Sequence, residues 1–410
     1  MAAMTATTAT AWTAGLRDRR LPQVEELFTE GIPAPLEAAI AASDGEIRSL
    51  KRVAVGWWPR KSCTVQWEVD VVGGPLEGRA RYVATTLDAP EGGVVVGDGD
   101  HHLTIWRVPD DPFLPALRAA LDPGVATSIV EDLGGELRDA STRLRAYRPT
   151  RRAVIEVLGS GHRLYFKLVK PKRLEALYRR HADLYGILPV PEPLGISKDL
   201  GLLVMPTMQG TTLREVLEDP TQPLPDPAVV TQLRDHIPEL DFMTKTASSI
   251  ETLPTQAALL ATLLPDQAGR IQGIVDEIGD DKGGELVPVH GDFHEAQLMC
   301  GDGQIIGVLD VDTVGLGHPA DDAAVMIAHL FLWATLSSQR ARVIDYATRL
   351  LAQWDAVLDP VDLRKRVAAR LMGLASGPFR AQADDWPVQV SLRIDLAAAW
   401  VQSARDAARS

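Results

Sequence analysis

Between residues 51 and 70 the chain alternates apolar and polar positions, in KRVAVGWW (51–58) and CTVQWEVD (63–70), on either side of Pro59-Arg60-Lys61. Period-two alternation around a Pro-containing turn predicts a β-hairpin with one buried face. Residues 81–87 and 103–108 (LTIWRV) carry the same strand pattern. Upstream, residues 20–42 set Leu21, Val24, Leu27 and Phe28 at helical spacing, and a helix around 112–121 closes this first unit. The order then recurs. Strand patterns at 143–149 and 153–158 flank Thr150-Arg151-Arg152, and Gly159-Ser160-Gly161 turns the chain into RLYFKLV (163–169), a hairpin signal. A helix is predicted at 172–185. WPRKSCTV (58–65) overlays RPTRRAVI (148–155), and LTIWRVPDDPFLPAL (103–117) overlays LYFKLVKPKRLEALY (164–178), a weak internal repeat. This overlay sets Trp106 opposite Lys167 and makes the first unit a cap that cannot bind phosphate.

A proline-rich turn (GILPVPEPLG, 186–195) leads to a buried strand, LGLLVMP (200–206), with the exit Thr207-Met208-Gln209-Gly210. From there the pattern is mainly helical, near 211–218, 226–248, 254–277, 320–336, 338–357, 360–375 and 390–407. Strand-like pieces at 286–290 and 304–309 interrupt it. A β-rich part followed by a helical part is an α+β arrangement. The predicted boundaries are a cap at 1–135, a β-rich lobe at 136–208 and a helical lobe at 209–410. Trp57, Trp58 and Trp106 are expected to fill the core of the first unit. The Ala- and Thr-rich start, MAAMTATTATAWTAG, lacks the basic start and apolar centre of a secretory signal and reads as a disordered lead-in. No apolar run reaches the ~20 residues that span a bilayer.

Composition narrows the field of partners. The hydrophobic and charged fractions, 46% and 24%, are those of an ordinary soluble domain. A net charge of −13 argues against nucleic acid, which needs a basic footprint. It suits a cationic substrate, or simply solubility. Cys63 and Cys300 sit in no metal-ligand spacing and are expected to be reduced, buried thiols of a cytoplasmic protein.

The chemistry is concentrated in VHGDFHEAQLM (289–299) and IIGVLDVDTVGLGHPADDAA (305–324). Phosphoryl transfer from ATP needs a group that positions the hydroxyl, oxygen ligands for magnesium and a cation on the phosphates. Asp292, after a short strand, can accept the hydroxyl proton. Gln297, five residues on, offers an amide oxygen. Asp310 ends the next strand and can meet the same metal, since magnesium prefers hard oxygen donors.

HGDFHEAQ followed by LDVDTVGLGHPADD resembles the catalytic and metal-binding segments of the aminoglycoside-phosphotransferase family, over roughly residues 140–410. The resemblance implies a bilobal protein-kinase-like fold, with the extra N-terminal α/β cap, and ATP and Mg2+ as cofactors. It makes Asp292 the catalytic base, His290 a buttress of its loop and Asp310 the main magnesium ligand. Gln297 departs from the Asn usual in the family. A similar Gln is found in actinobacterial sugar kinases of the maltokinase and glucosamine-kinase type. Asp312 is a candidate for a second metal or for the substrate.

On the nucleotide side, Lys167 lies in a strand among Leu164, Phe166 and Leu168, where a lysine can reach the α/β-phosphates and pair with a helix glutamate. Glu175 is the candidate partner. No GxGxxG loop is present; Arg151 and its neighbours in the 150–152 turn offer N–H and guanidinium groups to phosphate. Met205-Pro206-Thr207-Met208 resembles the hinge that holds adenine. Pro206 can offer its carbonyl there, and Met208 must supply the donor. His294 is a substrate candidate, whereas Asp321 and Asp322 read as the start and cap of a helix. The cap, Gln297 and DVDTVGLG point to a small-molecule hydroxyl on a sugar or amino sugar, glucosamine first, with Asp384 and Asp385 suiting a protonated amine. Two alternatives stand: an aminoglycoside phosphotransferase acting in resistance, and a non-catalytic nucleotide-binding protein. No segment resembles an activation loop ending in APE, so protein-kinase activity is not expected.

Overall fold

The computed structural model describes residues 16–97, 101–281 and 283–409. The expected lead-in at 1–15 lies outside the described residues. Two short helices open the first unit, α1 (Gln23–Leu27) and α2 (Ala34–Ala41), in place of one helix over 20–42. Helix α1 ends at Leu27, and α2 starts afresh after Pro33, its extended N-cap. Strands β1 (Glu46–Trp58), β2 (Ser62–Val72), β3 (Gly78–Thr85), β4 (Val94–Val96) and β5 (Leu103–Arg107) form a sheet ordered β1-β2-β3-β5-β4. Helices α3 (Leu117–Ala120) and α4 (Pro123–Asp132) follow. The second sheet contains β6 (Ser141–Arg148), β7 (Arg152–Gly159), β8 (His162–Val169), β9 (Gly195–Ser197) and β10 (Leu202–Pro206), with α5 (Pro171–Leu184) between β8 and β9. Its order, β6-β7-β8-β10-β9, is that of the first.

The likeness extends to hydrogen bonds. In the first unit Asp18 Oδ2 accepts from Trp57 Nε1 (3.3 Å) and Arg60 N (2.6 Å), while Oδ1 accepts from Arg20 N (2.9 Å). In the second, Asp111 Oδ2 accepts from Tyr147 OH (2.9 Å) and Thr150 N (2.9 Å), while Oδ1 accepts from Phe113 N (2.8 Å). Arg60 and Thr150 both turn through φ 67°. Each aspartate opens an Asp-x-x-Leu-Pro segment, Asp18-Arg19-Arg20-Leu21-Pro22 and Asp111-Pro112-Phe113-Leu114-Pro115. The repeat is therefore real, but its register differs from the overlay read in sequence. Val154 pairs with Lys167 across β7 and β8, and its equivalent Thr64 pairs with Thr85 across β2 and β3. Thr85, not Trp106, is the counterpart of Lys167.

Leu117, Ile129 and Val130 pack beneath the second sheet with Ile155, Phe166 and Val204. Helices α3 and α4 thus belong to that core, although the predicted boundary at 135 grouped them with the cap. The opposite face of the sheet receives Leu174 and Leu177 of α5. The first sheet instead shares one core with the helical lobe. Phe28, Trp57, Phe379 and Trp386 join the two, with Phe28–Trp57 at 5.8 Å and Phe379–Trp386 at 5.1 Å between ring centroids. Trp57 and Trp106 are buried as expected, whereas Trp58 stays exposed.

The helical lobe runs through β11 (Thr211–Thr212), α6 (Leu213–Glu218), α7 (Pro227–Asp235), α8 (Ser249–Leu263), α9 (Ala268–Ile278), β12 (Val287–Val289), β13 (Leu298–Gly301), β14 (Gln304–Val308), β15 (Gly315–Gly317), α10 (Asp321–Ala334), α11 (Arg340–Asp355), α12 (Pro360–Ala375), α13 (Gly377–Arg380) and α14 (Trp386–Ala407). The helix predicted over 226–248 stops at Asp235, before Pro238, and that over 254–277 is two helices parted at Pro265. The whole is a bilobal α+β fold. Cys63 and Cys300 are buried free thiols, and burial pushes Cys300 up to about 12. Among the described residues no helix is long and apolar enough to cross a membrane.

Candidate active site

The loop after β12 is built around Gly291. Its φ is +80°, and a Cβ there would meet the Thr313 carbonyl oxygen at 2.7 Å, so no other residue fits without a shift. Asp322 reaches into this loop from the start of α10 and accepts from His290 N (2.7 Å) and Gly291 N (2.9 Å). The sequence suggested a helix cap. Instead Asp322 is wholly buried and holds the loop, while Asp321 takes the His318 N–H (2.8 Å). Burial raises the Asp322 carboxyl above the usual range, against the His290 contact and the two amide bonds. His290 Nε2 donates to the Leu309 carbonyl (3.0 Å), which leaves Nδ1 to accept from Asp292 N (3.3 Å). The ring thus ties the loop to the end of β14.

Asp292 Oδ1 accepts from Arg370 Nη2 of α12 at 2.6 Å. Its Oδ2 lies 3.8 Å from His294 Nε2. Arg370 also donates to His329 Nε2 of α10 (3.2 Å), and the His329 and His294 rings stack at 4.2 Å with 6° between planes. Burial lowers the pKa of both imidazoles, that of His329 well below the usual value, so both rings are neutral at pH 7. Asp292, His294 and His329 each offer a ligand atom within 4.8 Å of the others, but two nitrogens are a poor match for magnesium.

A second cluster stands where the two lobes meet. Asp310 adopts a left-handed conformation (φ 54°, ψ 48°) at the end of β14, a geometry that Asp tolerates better than most residues. Lys167 Nζ lies 2.9 Å from Asp310 Oδ1 and 2.5 Å from Asp312 Oδ1. Arg152 Nη1 donates to Asp312 Oδ2 (3.0 Å), and Arg180 Nη1 to the Asp312 carbonyl (2.7 Å). His181 Nε2 is 3.5 Å from Asp312 Oδ1. Burial would raise the Asp312 carboxyl, but His181 and Lys167 outweigh it and hold it well below the usual carboxylate range. Leu309 N donates to the Gln297 carbonyl (2.8 Å), which brings Gln297 beside the residue preceding Asp310. Asp310 and Asp312 are the oxygen donors of this corner, chemistry that fits magnesium, whereas the Gln297 side chain sets its Nε2 3.4 Å from His294 Nε2.

Some expected residues stand elsewhere. Glu175 points to solvent and pairs with Lys198 (2.6 Å), not with Lys167; α5 instead turns Arg180 and His181 toward Asp312. The Arg151 guanidinium lies over the Trp58 ring (6.0 Å), away from the Lys167 cluster, and Arg152 takes the place expected of it. Pro206 ends β10 opposite Leu164. The Met208 side chain lies on Gly307 of β14, where a Cβ would meet its sulfur at 1.8 Å, so the hinge rests on a glycine. Asp384 and Asp385 are exposed, and Asp385 accepts from Gln389 (2.6 Å). Arg370, His329, His181 and Arg180 went unread in the sequence. Arg370 and His329 sit singly on helices and Arg180-His181 side by side on α5, and no local pattern marks them.

A family model described as the phosphotransferase enzyme family matches residues 150–358, from the turn at Thr150 through Lys167, Asp292 and Asp310. No curated protein matches the chain. Among solved structures, a thermostable mutant of the aminoglycoside phosphotransferase APH(4)-Ia, in ternary complex with ADP and hygromycin B, is 16% identical with a TM-score of 0.46, covering 67% of this chain and 97% of its own. The macrolide 2′-phosphotransferase MphH from Brachybacterium faecium is 16% identical with a TM-score of 0.40, covering 68% and 97%.

Proposed function

Because the chain belongs to the phosphotransferase enzyme family, we propose that it transfers the γ-phosphoryl group of magnesium-bound ATP to a hydroxyl group of a small molecule. The observation that carries this reading is the approach of Lys167 and Arg152, from the sheet lobe, to Asp310 and Asp312, from the helical lobe. That corner holds cations for phosphate and oxygens for a metal side by side. Magnesium, when bound there, neutralises charge on the phosphates. Lys167 and Arg152 exchange part of their carboxylate contacts for phosphate oxygens. Asp310 and Asp312 would hold the metal, joined by Gln297 once its amide turns from His294, and the Pro206 carbonyl and Met208 N–H would be offered to the adenine edge.

Asp292 is the proposed base. Arg370 fixes its Oδ1 and leaves Oδ2 to accept the acceptor's hydroxyl proton. His294, neutral and beside Oδ2, orients that hydroxyl. The acceptor we propose is a sugar or amino sugar, with glucosamine first in the panel. An aminoglycoside is the second reading, favoured by the net charge of −13; protection of a sensitive host would support it.

ADP release with magnesium and ATP, across neutral sugars, amino sugars, sugar acids and aminoglycosides, tests the proposal. Release should depend on one acceptor class. Asp292→Asn should lower turnover by about 10²–10⁴-fold while ATP still binds. Near-normal turnover in that variant would remove Asp292 from the role of base.

A further inference from the structure

A cavity of ≈ 480 Å³ lies where the cap, the second sheet and the helical lobe meet. Trp57 and Trp58 line it from β1, Arg148 and Arg151 from the turn between β6 and β7, and Ser376 and Arg380 from the start of α13 and its end. The chain has 55 acidic residues against 42 basic ones, yet among the described residues no carboxylate lines this cavity and three guanidinium groups do. Among the described residues Arg148 and Arg380 make no side-chain hydrogen bond or ion pair, and Arg151 is engaged by the Trp58 ring. Burial lowers the pKa of Arg148 and of Arg380, and neighbouring arginines add to it: Arg152 acts on Arg148, and Arg148 and Arg370 act on Arg380. Three guanidinium groups are therefore gathered here with no carboxylate in direct contact among the described residues, an arrangement that favours an anion.

The cavity is also tied to the reacting groups. The carboxylates of Asp310 and Asp292 act on Arg148. Arg380 stands near Arg370, which meets both Asp292 and His329. A molecule with a hydroxyl at Asp292 can thus extend toward Arg148 and Arg380. We propose that this cavity is an acceptor subsite for an oxyanion, a carboxylate or phosphate carried by the same small molecule whose hydroxyl is phosphorylated. The proposal rests on the kinase reading above and puts acidic members of the sugar class in place of glucosamine as the expected acceptor. Local charge, rather than the net charge of the chain, decides what the site takes: an ammonium group would meet three guanidinium groups and no acid. The aromatic rings of Trp57 and Trp58 offer an apolar wall for a sugar face.

The decisive comparison uses matched acceptors, glucose, glucosamine, glucuronate and glucose 6-phosphate, with the full chain and ADP release as readout. An acidic member should exceed the neutral and amino members in kcat/KM by about tenfold or more, the size of a charge-assisted contact. Arg380→Gln should erase that preference by raising the acceptor KM with the KM for ATP unchanged, and Arg380→Lys should restore part of it. A preference for glucosamine or glucose, or an Arg380→Gln effect confined to the KM for ATP, overturns the proposal. Calorimetry with inorganic phosphate and glucuronate, on the chain saturated with magnesium and AMP-PNP, separates the two readings. Binding that Arg380→Gln and Arg148→Gln each remove supports the subsite even where no acceptor releases ADP, a result that would count against the kinase reading alone. Failure of both probes to bind the wild-type chain overturns the subsite whatever turnover is seen.

Discussion

Asp322 holds the loop of the proposed base through two backbone amides. Its two oxygens accept from His290 N and Gly291 N, and those two residues lead directly into Asp292. Asp322→Asn keeps the shape but turns one acceptor into an N–H₂ group facing an N–H. A buried donor left without a partner costs about 1–3 kcal/mol. The variant should melt lower and turn over more slowly, while its affinity for ATP is retained. Unchanged melting and turnover would show that the loop holds its shape without this carboxylate. Residues of this loop were legible in sequence because short segments join them: His290, Asp292 and Gln297 follow one strand, and Asp310 ends the next. Glu175 was misassigned for a reason of helical phase. The buried stripe of α5 carries Leu174, Leu177 and His181, and Glu175 stands one residue, roughly 100°, away from Leu174. Arg370 and His329 were invisible because an isolated basic residue on a helix looks the same whether it faces solvent or a carboxylate such as Asp292.

Helices α8, α10 and α12 are locked by one buried side chain. Arg366 of α12 reaches Asp281 (3.1 Å), Asp321 at the start of α10 (2.9 Å) and Asp362 (2.8 Å). Asp281 in turn accepts from Ser248 Oγ, the N-cap of α8 (2.6 Å). Burial alone would raise the Asp281 carboxyl, but the hydrogen bonds of Arg366 and Ser248 outweigh it and hold it at about 2. Its folded pKa lies below the ordinary 3.8, so the stabilisation is present above about pH 4 and is lost as pH falls toward 2. Asp281→Asn should therefore be less stable than the wild type at pH 7, with the gap closing between pH 4 and 2 in thermal melts. A gap that stays constant over that range would assign the stabilisation to shape rather than to charge. Most elements themselves were legible, since period-two and period-3.6 patterns survive in single sequences. The differences fall near prolines inside apolar runs: Pro238 and Pro265 follow helix ends, and Pro33 precedes a helix start, where the apolar pattern alone would run on.

The molecule contains the same sheet twice and uses the copies differently. The repeat was visible as hydrophobic pattern, but its register was not. Pattern matching aligned the strands most alike in composition, β5 with β8, whereas hydrogen bonding makes β3 the equivalent of β8. The duplicated aspartates supply an internal control for the role of the turn. Asp18→Ala removes the acceptor of Trp57 Nε1 and Arg60 N from the cap turn, and Asp111→Ala removes the acceptor of Tyr147 OH and Thr150 N from the turn that leads to Arg152. Each leaves buried donors unpaired, so each should lower the melting temperature, at about 1–3 kcal/mol per orphaned group. Their effects on ATP should part company. Thr150 is two residues from Arg152, whose guanidinium meets Asp312, so a loosened turn there displaces a cation from the proposed phosphate corner. Asp111→Ala should raise the KM for ATP several-fold, while Asp18→Ala should leave it near the wild-type value. Because the cap shares its core with the helical lobe, Asp18→Ala should still lower the stability of that lobe within one melting transition, measurable by scanning calorimetry. Equal effects of the two variants on the KM for ATP would mean that the turn of the second sheet serves packing, as its copy in the cap does, and the cations on phosphate would then have to come from Lys167 alone.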